Sequence, residues 1–354
     1  MTLKEISNDV NEHYKKKLPF IIFSKPKSNT VDFYFQSDST LYDNLKKFKD
    51  NIFVFSPFDN KKNKTIYTPL NKCISHKIDY KPFEKSINRI NINSENLLEK
   101  NKFINLVDKS IKLLDKGILN KVVLSRVETI KKPRIIFNEL LKNLFLSTNN
   151  SFRYIWYHPK IGFWIGSTPE KLLSIKNNMI ETVALAGTKK IVNGISSIWS
   201  NKEIEEQKYV KDYILKSLSK NVNNISYKDT DNVKSGELLH LNTLISGNLK
   251  SFSDYKNVIQ ALHPTPAVCG IPLNESKQFI DNNEYYNRKY YTGYLGIINE
   301  QKQYLSLFVN LRCAELTQSK INIFVGAGIT RDSNSNNEFQ ETFHKTQIIK
   351  KVFF

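Results

Sequence analysis

Short apolar runs that come in adjacent pairs constrain this fold more than any other feature of the sequence. Residues 152–157 and 161–165 are two such runs, joined by a three-residue HPK turn. Residues 172–175 and 180–185 form a second pair around an Asn-Asn turn. β-branched and aromatic runs of this length, separated by Pro or Asn, are typical of antiparallel hairpins. We therefore predict a core built mainly from strands that pair with their neighbours in sequence.

Hydrophobic periodicity predicts further strands and a smaller number of helices. Strands are predicted at 20–23, 31–35, 52–55, 121–127, 290–298, 303–313 and 321–325. Helices are predicted at 94–119 with Ser94 as N-cap, at 135–146, at 200–220 and at the C-terminus. Because strands outnumber the helices that could connect them, the predicted fold class is α+β, with large antiparallel β-sheets and helices packed outside. No Pro/Gly/Ser-rich linker is evident, so we expect one domain over 1–354, with a variable subregion at 1–100 and a core carrying the motifs at 117–354.

The composition favours a folded protein of a reducing compartment. With 40% hydrophobic residues among 354, the chain can bury a sizeable core. No apolar run approaches the roughly 20 residues that cross a bilayer, and the N-terminus lacks the apolar segment of a signal peptide. Cys73, Cys269 and Cys313 are widely spaced, which fits neither a disulfide framework nor a zinc cluster. We expect a soluble, cytoplasmic protein.

The net charge of +19, from 53 basic and 34 acidic residues, raises the question of an anionic partner. Nucleic-acid and membrane-surface proteins often carry such a surplus. Here the basic residues come in twos and threes, scattered among abundant Asn and Ile, without a long basic run or an aromatic stacking motif. We interpret the surplus as a compositional bias and expect no nucleic-acid or membrane partner.

The stretch FVGAGITRDSNSNNEFQETFHK, residues 324–345, is the first candidate for a functional site. Its apolar start is typical of a strand, Gly326 and Gly328 are predicted to form a turn with exposed N–H groups, and a helix follows. Glu338, Glu341 and Lys345 lie on one face of that helix because they are three and four residues apart. Such a stripe beneath a glycine turn could hold a metal ion and an anion.

A second helix offers a similar pair of acids, since Glu203 and Glu206 are also one turn apart. Carboxylate oxygens from two facing helices would suit a hard cation such as Mg²⁺, which usually keeps several waters. A simpler alternative is that SNKE and SNNE, at the starts of the two helices, are capping boxes in which the glutamate satisfies a backbone N–H. Capping explains Glu203 and Glu338 but leaves Glu206 and Glu341 unexplained.

Four other polar residues are ambiguous when each is taken singly. Lys121 heads an apolar strand, so it is a surface lysine or a buried amine whose lowered pKa would let it act as a base. Glu170, in STPE, caps a helix or places a carboxylic acid at a strand end inside a cleft. Arg312 lies late in an apolar strand, where a guanidinium requires a carboxylate from the protein or from a ligand. His240 alone is expected to be structural.

The order of the motifs is more specific than any one of them. KVVLSR, GSTPEKLL, ALAGT, KEIEEQ, HLNTLISG, LHPTPAVCG, NLRCAEL, FVGAGI and EFQETFHK follow one another from about residue 117 to the C-terminus. This order resembles the chorismate-utilising enzymes, a family that includes isochorismate, salicylate, anthranilate and aminodeoxychorismate synthases. The resemblance implies one α+β domain with antiparallel sheets around a cleft for magnesium and chorismate. The first hundred residues carry little of it.

The resemblance also implies roles for individual residues. Glu206 and Glu341 match the direct Mg²⁺ ligands, with Glu203 and Glu338 assisting through water. Arg312 matches the arginine that grips the enolpyruvyl carboxylate of the substrate. The other residues that the resemblance places at the substrate are Ala186, Gly187, Thr188, His240, Ala267, Tyr291, Gly326, Gly328 and Lys345.

Two positions indicate the reaction. Lys121 matches the lysine that water-using members employ as general base, where the ammonia-using branch has glutamine. Ala186 stands in ALAGT, where aminodeoxychorismate synthase reads PIKGT with a nucleophilic lysine. The resemblance therefore implies an isomerase in which water attacks C2 of the ring and Glu170 gives a proton to the departing C4 hydroxyl. We expect a monomer without a glutamine amidotransferase subunit.

The exact product is open at this stage. Salicylate synthase, which goes on to eliminate pyruvate from isochorismate, is the alternative. Ala267 favours isochorismate synthase, because salicylate formers tend to have a hydroxyl there, whereas Tyr291 favours the alternative. Gln207 departs from the histidine that many members have after the metal-binding glutamate. The motifs do not decide between menaquinone and siderophore biosynthesis.

Overall fold

The computed structural model describes residues 2–45, 50–80, 96–146, 150–190, 199–235 and 238–354. Its helices are α1 Leu3–Lys15, α2 Leu97–Asp115, α3 Phe137–Phe145, α4 Asn201–Leu218, α5 Tyr255–Leu262, α6 Leu273–Asn283 and α7 Ser335–Phe353. Its strands are β1 Phe20–Ser24, β2 Thr30–Gln36, β3 Ile52–Ser56, β4 Ile66–Pro69, β5 Cys73–Asp79, β6 Lys121–Lys131, β7 Phe152–His158, β8 Gly162–Thr168, β9 Lys171–Lys176, β10 Met179–Lys190, β11 Val222–Tyr227, β12 Asp231–Ser235, β13 Leu238–Leu249, β14 Gly270–Ile271, β15 Tyr294–Asn299, β16 Tyr304–Val309, β17 Cys313–Leu316 and β18 Lys320–Ile329.

The strands form two large antiparallel sheets in the described part of the chain. The first sheet has the order β14-β6-β18-β17-β8-β7-β1-β2-β5. The second has the order β11-β13-β10-β9-β16-β15-β3-β4, and β12 also pairs with β13. The α+β class with large antiparallel sheets, predicted from the hairpin pattern, is confirmed.

Several strands are buried on both faces because the two sheets pack on each other and are covered by helices. In β1, Phe20 and Ile22 point to a core shared with α1 and α3, whereas Ile21 and Phe23 point into the core between the sheets. Alternate residues of a strand face opposite ways, so a strand between two cores reads as a continuous apolar run. This explains the FIIF run of β1.

Two of the places where the chain passes from one sheet to the other are neighbours, and we call them the paired crossings. At the first, β8 of the first sheet ends and β9 of the second begins three residues later, with Glu170 between them. At the second, β16 of the second sheet gives way to β17 of the first through residues 310–312. The crossings are hydrogen-bonded to each other, since Val309 N donates to Glu170 O at 3.0 Å and Ser167 N donates to Arg312 O at 3.1 Å. Two polar residues of the predicted site are thereby brought side by side.

Two of the predicted strands are shorter than expected. The strand predicted at 303–313 breaks after Val309, so Arg312 lies in a crossing and has a left-handed φ of 46°. The strand predicted at 290–298 begins only at Tyr294, because Thr292 has a φ of 58°, which a regular strand cannot accommodate. The first break lies where the chain leaves a sheet and the second where it enters one, and apolar periodicity does not report such long-range events.

The predicted helix at 94–119 corresponds to α2, which ends at Asp115. Ser94, the expected N-cap, lies outside the described residues, and the cap is Asn96, whose side chain accepts from the N–H groups of Leu98 and Glu99. Among the described residues, no helix is long and apolar enough to cross a membrane.

Candidate active site

Lys121 lies at the start of β6, where that strand is flanked by β14 and β18. Its side chain is buried, and its Nζ lies 2.6 Å from Oε1 of Glu206 on α4. Gln207, the next residue on α4, donates from Nε2 to Ala184 O and to Thr243 Oγ1, both at 2.9 Å. These bonds fix α4 against β10 and β13, so they also orient the neighbouring glutamate towards the lysine.

Gly328 on β18 faces this ion pair. A Cβ placed on it would lie 3.2 Å from Cε of Lys121 and 3.9 Å from Oε1 of Glu206. The absence of a side chain therefore leaves open the space next to the ammonium and carboxylate groups. A substrate that approaches both of them needs such a space.

The glycine turn predicted at 326–328 is wrong, because both glycines lie within β18. Gly326 pairs with Ser125 of β6, and Gly328 pairs with Val123. Gly326 O accepts a hydrogen bond from Nζ of Lys345 at 2.9 Å, and the N–H of its β6 partner Ser125 donates to Glu284 Oε1 at 2.8 Å. Since N–H and C=O of one residue in an antiparallel strand point the same way, the N–H groups of both glycines point away from β6. They face the side that β17 leaves after Phe324, its last partner on β18.

On α7, Lys345 also contacts Glu341, with 2.6 Å between Nζ and Oε1. The helix begins at Ser335, and its N-cap is Asn334, whose side chain accepts from Asn337 N. The capping box predicted from Ser335 is therefore wrong, because that residue is already in the helix. Glu338 is half-buried in the first turn of α7.

The capping box on α4, in contrast, is confirmed. Oε2 of Glu203 accepts from Ser200 N at 2.9 Å and from the Ser200 hydroxyl. A Cβ on Gly187, whose φ is +68°, would lie 3.1 Å from Cβ of Glu203. Gly187 sits at an irregularity of β10, so α4 approaches the strand closely at this point. Ala186, just before it, is buried in the core beneath α4.

His240 on β13 lies across from Thr188 of β10. Its Nδ1 is 3.2 Å from Gly187 O, and because a carbonyl can only accept, Nδ1 carries the proton. Burial lowers the pKa of His240 to about 4, and the positive charges of Arg312 and Lys345 act in the same direction. The ring is therefore neutral at physiological pH and lies within electrostatic reach of both cations.

Glu170 lies at the first of the paired crossings, and β9 begins at the next residue, so the helix-capping alternative is excluded. Burial raises the pKa of its carboxyl to about 7, although the positive charges of Lys121, Arg312 and Lys345 act to lower it. All three cations are therefore near enough to Glu170 for their charges to act on its carboxyl group. A carboxylic acid with this pKa can hold a proton near neutral pH and release it to a substrate.

Arg312 lies beside Glu170, at the second of the paired crossings. Burial lowers the pKa of its guanidinium, and the charge of Glu170 raises it. Its position at a crossing, rather than late in a strand, explains how a buried guanidinium reaches the same cleft as Glu170.

Tyr291 and Ala267 lie on two segments next to this cleft. Tyr291 is buried and stacks on Phe324, with 5.5 Å between ring centroids, and its hydroxyl is 2.9 Å from the position of a Cβ on Gly326. Ala267 lies in the turn before β14, where Gly270 pairs with Val122 of β6. This pairing brings the turn to the strand of Lys121.

The structure thus brings seven residues of the predicted site into one network. Contacts or electrostatic interactions join Lys121, Glu170, Glu206, His240, Arg312, Glu341 and Lys345. No three His, Cys, Asp or Glu side chains of the described residues converge into a metal-binding group. Glu206 and Glu341 are nevertheless hard oxygen donors at one cleft, which is the donor chemistry that Mg²⁺ takes when it also keeps waters and substrate.

One buried pair near the cleft was not predicted from the sequence. Glu284 and Arg288, in the segment EYYNR, form an ion pair with 2.5 Å between Oε1 and Nη2. The available signal was an acid and a base four residues apart, but this spacing is common on exposed helices. Only the tertiary structure shows that the pair is buried between β6 and the turn of Ala267.

A family model described as chorismate binding enzyme matches residues 45–353. The isochorismate synthase MenF of Haemophilus influenzae is 26% identical over 70% of this chain and 59% of its own length. The vibriobactin-specific isochorismate synthase of Vibrio cholerae is 29% identical over 65% of this chain and 61% of its own length. The chain therefore spans about three fifths of the length of these relatives.

The fold has a close structural counterpart. The structure of MenF, the menaquinone-specific isochorismate synthase from Escherichia coli, superposes with a TM-score of 0.80 at 19% identity. The superposition covers 95% of this chain and 89% of that one, so the shared fold extends to the N-terminal strands.

Proposed function

Because this chain belongs to the chorismate binding enzyme family, we propose that it is an isochorismate synthase, an isomerase that converts chorismate into isochorismate. Chorismate carries two carboxylates and a leaving hydroxyl. A site for it therefore needs cations, a base and an acid. The observation that carries the proposal is the placement of Glu170, a carboxyl with a pKa of about 7, among Lys121, Arg312 and Lys345.

In the proposed reaction, neutral Lys121 takes a proton from water while the water oxygen bonds to ring C2. The double bonds shift, and the bond between C4 and its hydroxyl breaks. Glu170, protonated, gives its proton to that hydroxyl, which leaves as water. One water enters and one leaves, so chorismate and isochorismate are isomers. Because Nζ of Lys121 is paired with Glu206 in the structure, the ammonium must leave this pair and lose a proton to solvent before Lys121 can act as a base.

The substrate would be held by charge and by backbone N–H groups. Arg312 would bind the enolpyruvyl carboxylate, and the N–H groups of Gly326 and Gly328 would bind the ring carboxylate with Lys345 nearby. Holding both ends of the substrate orients C2 towards the base and C4 towards the acid, which is the main contribution of positioning to catalysis.

We propose Mg²⁺ as the cofactor, held by Glu206 and Glu341 with Glu203 and Glu338 in support. When bound, this ion would neutralise carboxylate charge on the substrate. Glu203 already accepts the cap hydrogen bond of α4 through Oε2, so its support would come through the other oxygen.

The test is to incubate the purified protein with chorismate and MgCl₂ and to separate the products by HPLC. Isochorismate as the only product supports the proposal. Salicylate with an equimolar amount of pyruvate would instead establish the alternative, salicylate synthase. Anthranilate formed with added ammonium, or no consumption of chorismate, would contradict both.

A further inference from the structure

We propose that Arg288 is a positioning residue that holds the strand of Lys121 against the turn of Ala267. The catalytic consequence of this inference rests on the function proposed above. The clamp itself is defined by contacts between segments far apart in sequence. Neither residue of the Glu284–Arg288 pair is part of the site predicted from the motifs.

All five N–H donors of the Arg288 guanidinium have an acceptor. Nε donates to Glu284 Oε2 at 2.8 Å, and Nη2 donates to Glu284 Oε1 at 2.5 Å and to Val123 O at 2.8 Å. Nη1 donates to Val268 O at 2.9 Å and to Thr292 Oγ1 at 3.4 Å. Arginine offers five donors in a planar fork, so this arrangement uses its full capacity.

The two carbonyls that Arg288 binds belong to segments of the predicted site. Val123 lies two residues along β6 from Lys121, and residues two apart in a strand share a face. Val268 directly follows Ala267 in the turn. The backbone carbonyl of the arginine itself accepts from Tyr291 N at 2.9 Å. One side chain therefore joins the strand of the proposed base to residue 268 of the turn. It adds to the backbone pairing of β14 with β6, which begins only at Gly270.

Glu284 extends the clamp further along β6. Its Oε1 accepts from N and from Oγ of Ser125, both at 2.8 Å, and the Ser125 hydroxyl is 2.6 Å from the hydroxyl of Tyr286. The side chains of Arg288 and Glu284 are only 2% and 1% exposed. Burying such a pair gains little net stability, because both charges lose their hydration. A positioning role for the pair therefore depends on the geometry of its hydrogen bonds and not on its contribution to stability.

Replacing Arg288 by lysine would keep the positive charge and remove the planar set of five donors. It would keep a positive charge against Glu284, but a single ammonium cannot reach two carbonyls and both carboxylate oxygens at once. Arg288→Lys is therefore the main variant. Arg331→Lys is the matched control, because Arg331 is exposed and paired with Asp115 away from this cluster.

The experiment measures kcat, KM for chorismate and backbone hydrogen exchange in the full-length protein with MgCl₂. For Arg288→Lys we expect kcat to fall about 10- to 100-fold, because misplacement of a reacting group by about 1 Å costs up to about 100-fold. KM should change less than about threefold, because the donors of Arg288 go to acceptors other than the residues proposed to bind the substrate. Exchange should accelerate in peptides 121–127 and 264–270 but not in 304–316, and Arg331→Lys should match the wild type throughout.

A folded Arg288→Lys variant with wild-type kcat and wild-type exchange would overturn the inference, as would an effect on KM alone. If this variant does not fold, Ser125→Ala tests the clamp instead, because the Ser125 hydroxyl donates to Glu284. We expect a smaller loss of kcat for Ser125→Ala, and an unchanged kcat would contradict the clamp. Failure of the proposed function is a separate result, since it would appear as a wild type that forms no isochorismate. The exchange pattern would still show whether Arg288 clamps the two segments.

Discussion

Nζ of Lys121 and Oε1 of Glu206 are 2.6 Å apart, so the proposed base and a proposed metal ligand form one ion pair. Their side chains are 6% and 18% exposed, and the pair is therefore largely withdrawn from water. Removing one partner of such a pair leaves the other charge without compensation. Substitutions at this pair must consequently be tested for folding as well as for turnover.

Replacing Lys121 by methionine should abolish most turnover while the protein still folds. The base would be lost, and general base catalysis contributes about 10²- to 10⁴-fold to rate. Steady-state kinetics with circular dichroism would check this. Lys131→Met, on the exposed end of the same strand, should behave as the wild type. Isochorismate formation by Lys121→Met at the wild-type rate would contradict the assignment.

The activity should depend on protonation of Glu170. Because burial raises its pKa to about 7, kcat/KM should fall above about pH 7 as the acid ionises, and Glu170→Gln should lose most activity at every pH. A pH–rate profile of the wild type would show the alkaline limb. A profile that stays flat from pH 6 to 9 would exclude Glu170 as the acid.

The same pKa makes a prediction about stability. The pKa of Glu170 rises from 4.5 to about 7, so between these values the folded state binds more protons than the unfolded state. The free energy of unfolding should therefore fall as pH rises through this window, and the Glu170 contribution to this slope should be absent in Glu170→Gln. Urea titrations of both proteins at pH 5 and pH 8 would measure the difference.

Removing the proposed metal ligand should weaken the response to magnesium. Glu206→Gln should raise the Mg²⁺ concentration needed for half-maximal activity at least about tenfold and abolish the rise in Tm on adding MgCl₂ alone. Glu205→Gln, an exposed neighbour on α4, is the matched control and should leave both unchanged. Equal responses of the two variants would count against Glu206 as a ligand.

The two roles of Glu203 can be separated through its cap partner. Ser200→Ala removes the hydroxyl of the capping box and should lower the free energy of unfolding by about 1 kcal/mol without changing magnesium dependence. Glu203→Ala should lower stability similarly and also weaken magnesium activation. Unaltered magnesium activation in Glu203→Ala would show that Glu203 caps α4 and does not assist magnesium binding.

The family, the fold class and the main hairpins could be predicted from the sequence. The family follows from the order of short motifs along the chain, and the fold class and hairpins follow from local apolar patterns. Apolar alternation and turn residues report the pairing of neighbouring strands directly. The motif order identified Lys121, Glu170 and Arg312 as candidates although they are far apart in the chain. Their roles remain predictions, whereas their convergence is an observation of the structure.

The remaining features depend on contacts that sequence patterns do not encode. Gly326 and Gly328 suggested a turn, but β6 keeps them in a strand. Arg312 suggested a strand interior, but the chain changes sheets there. The two backbone carbonyls that Arg288 binds lie 165 and 20 residues away in sequence, so no local pattern could reveal them.

The paired crossings have a mechanical consequence. Because two segments pass between the sheets side by side and hydrogen-bond to each other, sliding one sheet along the other would strain both segments and the hydrogen bonds that join them. Glu170 and Arg312 are therefore held in place by both sheets at once. Heating should disrupt the sheets and the paired crossings together. Loss of activity and loss of tertiary structure should therefore follow one cooperative unfolding curve.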